Sequence, residues 1–143
     1  MTASAGAALR GTTALNGRLA SEAASLADAV AAKSFPTADV VRILRRMSAD
    51  VSAGAGMVPA LEGWPAAAPH QVALTSFYAD LASEIDRGLS ASVNSAGQYK
   101  KAAKGVLATL ARMPALDADA RTLADTAGME MPVVVIPGTL LVP

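Results

Sequence analysis

Residues 69–88 read PHQVALTSFYADLASEIDRG, and within them Leu74, Phe77/Tyr78, Leu81 and Ile85 recur at steps of three and four. Side chains at that spacing share one side of a 3.6-residue helix. This is the clearest amphipathic stripe in the chain. It decides the fold class, because a helix with one apolar face must bury that face against other elements. Pro69 suits the first turn, where its missing N–H removes no bond.

The same period extends outward in both directions. Upstream, Val40, Ile43/Leu44, Met47 and Val51 form a second apolar face, with Thr37 as the expected N-cap and Gly54-Ala55-Gly56 as the expected stop. Before it, Leu15, Leu19, Leu26 and Val30, with Ala23 filling the gap, predict a helix from about Thr12. Ser34-Phe35-Pro36 ends it, since the residue before a proline is disfavoured in the α region. Residues 57–68, MVPALEGWPAAA, make a long connector from which Trp64 is expected to fold back onto the helices.

Downstream, Ser95-Ala96-Gly97-Gln98 is a capping-box pattern opening a helix with Tyr99, Ala103, Val106/Leu107 and Leu110 on one face. Met113-Pro114 interrupts it. Leu116, Ala120, Leu123 and Ala127 then predict a short fifth helix closed by Gly128. Gly17, Gly88, Gly97 and Gly105 lie in or near helices, where each costs up to about 1 kcal/mol relative to Ala. Such glycines mark close packing, kinks or boundaries. The expectation is an all-α protein: an antiparallel bundle of four main helices plus a short fifth over 12–128. Residues 1–11, small and polar, read as a flexible N-terminal arm.

Composition narrows the chemistry. The 143 residues suffice for one domain with one core. Aromatics make up only 3%, so the core must be Ala and Leu, which suits closely approaching helices. Zero net charge gives no global field for nucleic acid or anionic membrane. With no cysteine and one histidine, disulfides, thiolate catalysis and multi-histidine metal sites are excluded within one chain. No signal peptide or membrane-spanning run is recognised, so a cytoplasmic location, or a particle assembled there, is expected.

Each candidate site has a plain competitor. Arg42, Arg45 and Arg46 share one helix face, and Lys100, Lys101 and Lys104 another, so both could contact phosphates. Asp39 and Asp50 are spaced to pair with these arginines, which favours a solvated surface. Asp80, Glu84 and Asp86 could chelate a hard cation, but no Glu-x-x-His pair or matching carboxylate helix accompanies them. His70 could act as a general base, yet it has no Ser, Cys or acid partner at a recognisable spacing, so a structural or solvent-facing role is expected. There is no phosphate-binding glycine pattern. The sequence therefore names no catalytic residue, metal ligand or cofactor, and no enzyme is expected.

Residues 129–143, MEMPVVVIPGTLLVP, break from the rest. Val133, Val134, Val135 and Ile136 precede Pro137-Gly138, and Leu140, Leu141 and Val142 follow it. Pro-Gly favours a type II turn rather than the I′ or II′ turns of tight hairpins. The prolines at 132, 137 and 143 also remove ladder donors. An extended, β-type arm is expected, docking on a partner by strand addition or groove filling in preference to its own bundle. These seven apolar residues are the expected partner-binding set. In composition the chain is similar to small alanine-rich helical proteins of tailed-phage particles, although no motif carries the likeness. That resemblance implies a connector, vertex, decoration or ejection component. The leading expectation is thus a non-catalytic structural or assembly subunit of a homo-oligomer or larger particle. The alternatives are a nucleic-acid-associated helical protein, and a chaperone or regulator that grips a partner helix.

Overall fold

The computed structural model describes residues 1–91 and 96–137. Within them the protein is all-helical: α1 (Ala3–Ala31), α2 (Thr37–Met57), α3 (Ala68–Leu89), α4 (Ala96–Leu110) and α5 (Met113–Ala127). Two 3-10 turns, Val58–Leu61 and Pro65–Ala67, bridge α2 and α3. Ser95 of the expected capping box lies outside the described residues.

Helix directions follow from the residues that meet. Met57 lies over Gly11, Leu15 over Gly54, and Arg18 pairs with Asp50, so α1 and α2 are antiparallel. Leu44 meets Gly88 and Tyr78 meets Gly54, so α2 and α3 are antiparallel too. Gly88 faces Ala102 and Asp80 pairs with Arg112, which sets α4 against α3. With α1 also packed on α4, the four helices form a closed square in which α1 faces α3, and α2 faces α4, across the diagonals. After the break at residues 111–112, α5 continues the fourth wall and packs on α1 and α3. Pro114 sits in its first turn, where proline is tolerated. Trp64 is folded back and only 8% exposed, as the sequence predicts.

Three boundaries differ from expectation, each for a local reason. Residues 3–11 are not an arm but the first turns of α1. The Thr2 hydroxyl accepts from the Ala5 N–H at 3.0 Å, and Ala5, Ala8 and Leu9 continue the buried stripe. Buried Thr12 satisfies its hydroxyl within the helix, donating to the Ala8 carbonyl at 2.8 Å. Thr37 makes no side-chain cap; Pro36 holds the cap position, and its carbonyl accepts from the Val40 N–H at 3.0 Å. Gly54 and Gly56 do not stop α2, which runs on to Met57.

Gly54 is kept for space. A Cβ there would lie 2.7 Å from Leu15 Cδ2 and 2.7 Å from Tyr78 Cζ. The Tyr78 hydroxyl, buried beside it, donates to Asn16 Oδ1 at 2.7 Å. α1, α2 and α3 therefore meet at one point through a hydrogen bond, a ring and a missing side chain. Burial pushes the Tyr78 phenol well above its ordinary value, with the Asn16 bond opposing. Gly54→Ala should destabilise by about 1–3 kcal/mol, because the ring and Leu15 must shift. Gly56→Ala, which meets nothing within 4 Å, should be neutral or stabilising by up to about 1 kcal/mol through helix propensity. Urea unfolding of both variants checks the contrast.

Candidate functional site

The segment after α5 is placed by the end of that helix. Gly128 is left-handed at φ +67°, a conformation that penalises a Cβ. The Met129 N–H bonds the Ala124 carbonyl at 2.9 Å and the Gly128 N–H bonds Asp125 at 3.2 Å. This Schellman closure turns the chain back along α1. Met129 lies against Gly6, and Val134 against Gly17 further along the same helix. Arg121 fixes the path: its Nε donates to Asp117 at 2.9 Å and its terminal nitrogen to the Pro132 carbonyl at 3.1 Å.

Residues 129–137 are thus docked on their own bundle, across α1 and α5. The expected β-type arm is not a strand here; no strand exists among the described residues. No neighbouring strand is available to complete a ladder, and Pro132 and Pro137 lack donors. The period of two survives in the side chains. Val134 is half-buried, and Met131 and Ile136 pack on the core. Val133 and Val135 point out at 92% and 79% exposure. Of the seven residues expected to bind a partner, the structure brings Val134 and Ile136 to the bundle and leaves Val133 and Val135 in solvent. Leu140, Leu141 and Val142 lie outside the described residues.

A second apolar feature occupies the opposite face. The outer seam of α2 and α3 holds a groove of about 460 Å³, floored by Val51, Val58 and Tyr78 and rimmed by small residues. Thr75 and Ala79 are shared with a further shallow hollow beside Val72, which is 70% exposed. This groove was not legible beforehand, because Ser and Ala on the outer face of a helix look like ordinary surface.

The charged candidates are scattered. Arg42, Arg45 and Arg46 lie exposed on α2, and Lys100, Lys101 and Lys104 lie exposed on α4. α2 and α4 are diagonal in the square, so the two sets do not form one surface. Arg42 pairs with Asp39. Asp80 pairs with Arg112 at 2.8 Å and Glu84 with Arg87 at 3.1 Å. Among the described residues no three acidic or imidazole groups converge as metal ligands, and no helix is long and apolar enough to cross a membrane.

His70 is not solvent-facing; it is 4% exposed, with Nδ1 buried and unpartnered. Burial lowers its pKa, and Asp119 of α5, which lines the same cleft, partly opposes this. Their separation of 49 positions hides that proximity from any local reading.

Asp50 turns to α1 rather than to Arg46: it pairs with Arg18 at 3.5 Å and lies beside Glu22. Glu22 Oε2 is buried without a donor. A proton on Glu22 relieves this by bonding to Asp50. Burial first, then Asp50, push the Glu22 carboxyl up to about 8, with Arg18 and Arg46 opposing. No protein-family model, curated protein or solved structure matches the chain.

Two outcomes follow from this geometry. The folded state binds a proton at Glu22 more tightly than the unfolded chain. Its stabilising effect is therefore full below about pH 4.5 and fades as pH rises to about 8. Glu22→Gln, which stays neutral and can still donate to Asp50, should flatten that part of a melting-temperature profile. An unchanged profile contradicts the pair. Separately, a Cβ on Gly17 would lie 3.3 Å from Val134, so Gly17→Leu should lift the segment from α1. Because the chain has no cysteine, thiol labelling of a Val134→Cys protein reads this directly, and should quicken when Gly17→Leu is added.

Proposed function

We propose that this chain is a non-catalytic assembly subunit of a homo-oligomer or a larger particle such as a tailed-phage-type virion, with residues 129–143 as its contact element. One observation carries the reading. The segment is anchored on its inner side by Val134, Ile136 and the Arg121 bond, while Val133 and Val135 are presented outward. Two valines held apart from water by nothing, on a path already fixed by α1 and α5, form a pre-ordered apolar edge. Pre-ordering lowers the conformational cost of binding. The segment there forms no strand and lies between Pro132 and Pro137, so it offers an apolar edge more readily than a ladder.

Cis anchoring does not oppose this role. It holds the edge still, and it moves the site of contact from the whole segment to its outer side. Val133→Asp with Val135→Asp should leave helical circular dichroism unchanged and stability within about 0.5 kcal/mol, as for surface changes. Native mass spectrometry should show the wild-type assembly lost. Wild-type-like assembly by this variant overturns the reading.

A further inference from the structure

We propose that the outer face of α1, together with the valine edge beside it, is a twofold interface in which α1 packs antiparallel on α1 of a second copy of this chain; this deepens the assembly reading above and rests on it.

A hollow of about 450 Å³ lies between α1 and residues 132–137 of the docked segment, and its lining is mostly apolar. Ala14, Gly17, Ser21 and Ala24 form its helical wall. Val133 and Val135 line its other side and are themselves largely exposed. One patch therefore carries both a hollow and projecting apolar side chains. Such a patch can complement itself when two copies meet about a twofold axis.

The charges at the ends of the helical wall set the direction of packing. Arg10, Ala14, Gly17, Ser21, Ala24 and Asp28 follow one another at alternating steps of four and three, the spacing of a seam between two helices. Arg10 and Asp28 are exposed, and neither belongs to an ion pair among the described residues. Parallel packing would set Arg10 on Arg10 and Asp28 on Asp28. Antiparallel packing sets Arg10 on Asp28 of the second copy, twice, at ends about 27 Å apart. The other charges nearby are engaged elsewhere. Arg18 and Glu22 turn to Asp50, and Glu130 lines a separate hollow with Arg121 and Asp125.

The same pairing sets the register. Its midpoint is at the level of Leu19, so Ala14 meets Ala24 of the second copy, and Gly17 meets Ser21. None of these side chains is larger than serine, which lets two helix axes approach to about 8 Å. Val134 sits on Gly17, close to that midpoint. A twofold axis there, perpendicular to both helices, places the two docked segments on the same side of the helix pair. Val133 and Val135 of each copy then face those of the other.

Sedimentation velocity on full-length charge variants tests this. Arg10→Glu and Asp28→Arg, each alone, replace two attractions with two repulsions. Each should weaken self-association about tenfold, with unchanged circular dichroism. Both reversals on one chain restore both pairs and should recover wild-type association. In parallel packing, either single reversal would exchange one like-charge contact for another and change nothing. The register has its own reading, because the chain has no cysteine. Ala14→Cys and Ala24→Cys proteins, mixed under oxidising conditions, should cross-link to each other faster than either does to itself. Wild-type association by both single reversals, or no recovery in the doubly reversed chain, overturns the proposal. If Val133→Asp with Val135→Asp abolishes assembly while the charge reversals leave it intact, the assembly reading stands and this interface falls. A monomeric wild type removes both.

Discussion

The close approach of α1, α2 and α3 at Gly54 sets the scale of the whole bundle. The Tyr78 ring occupies the space that a side chain at 54 would take, and its hydroxyl reaches Asn16 at 2.7 Å. Removing that hydroxyl would leave a buried amide oxygen without its donor, a cost of about 1–3 kcal/mol. Removing the space would force the ring outward and part α1 from α2. Gly88 repeats the device at the other end of α3, where Leu44 and Ala102 close over it. A core of leucine and alanine with few rings buries modest area per residue, so it depends on helices approaching this closely.

That spacing has electrostatic consequences. Drawing α1 onto α2 brings Glu22 beside Asp50 at a partly buried level, and one carboxyl keeps its proton as a result. Packing α5 onto the start of α3 buries His70 and brings Asp119 to its cleft. The two groups act oppositely on stability. Glu22 stabilises from the acid side, and its effect is lost as pH rises. His70, with a lowered pKa, favours the folded state above its ordinary 6.5 and penalises it as pH falls.

The helices were legible because their apolar residues recur at three and four, and tertiary packing follows that period. The stripes through Leu74–Ile85 and Val40–Val51 are buried as read. What escaped is where packing overrides local preference. Gly54-Ala55-Gly56 reads as a stop because glycine weakens a helix by up to about 1 kcal/mol, yet Tyr78, 24 positions away, needs the gap. Residues 1–11 read as an arm because alanine and glycine carry little periodic signal; Thr2 as an N-cap was the clue available. The segment 129–137 was legible in its apolar composition, but not in its alternation or its seat, since Gly17 and Val134 are 117 positions apart. The α2/α3 groove was illegible because it consists of small residues that are individually unremarkable.

These features together describe a square of helices that fixes an apolar edge along α1 and α5 and leaves a groove at the α2/α3 seam. α1 and α5 hold the segment, and the small outer residues of α2 and α3 leave the groove open. The most direct measurement is the mass of the unmodified protein in solution over a wide concentration range, by sedimentation velocity or light scattering. The account predicts species that are multiples of the 14.3 kDa chain and whose share grows with concentration. A single 14.3 kDa species at every concentration would contradict it.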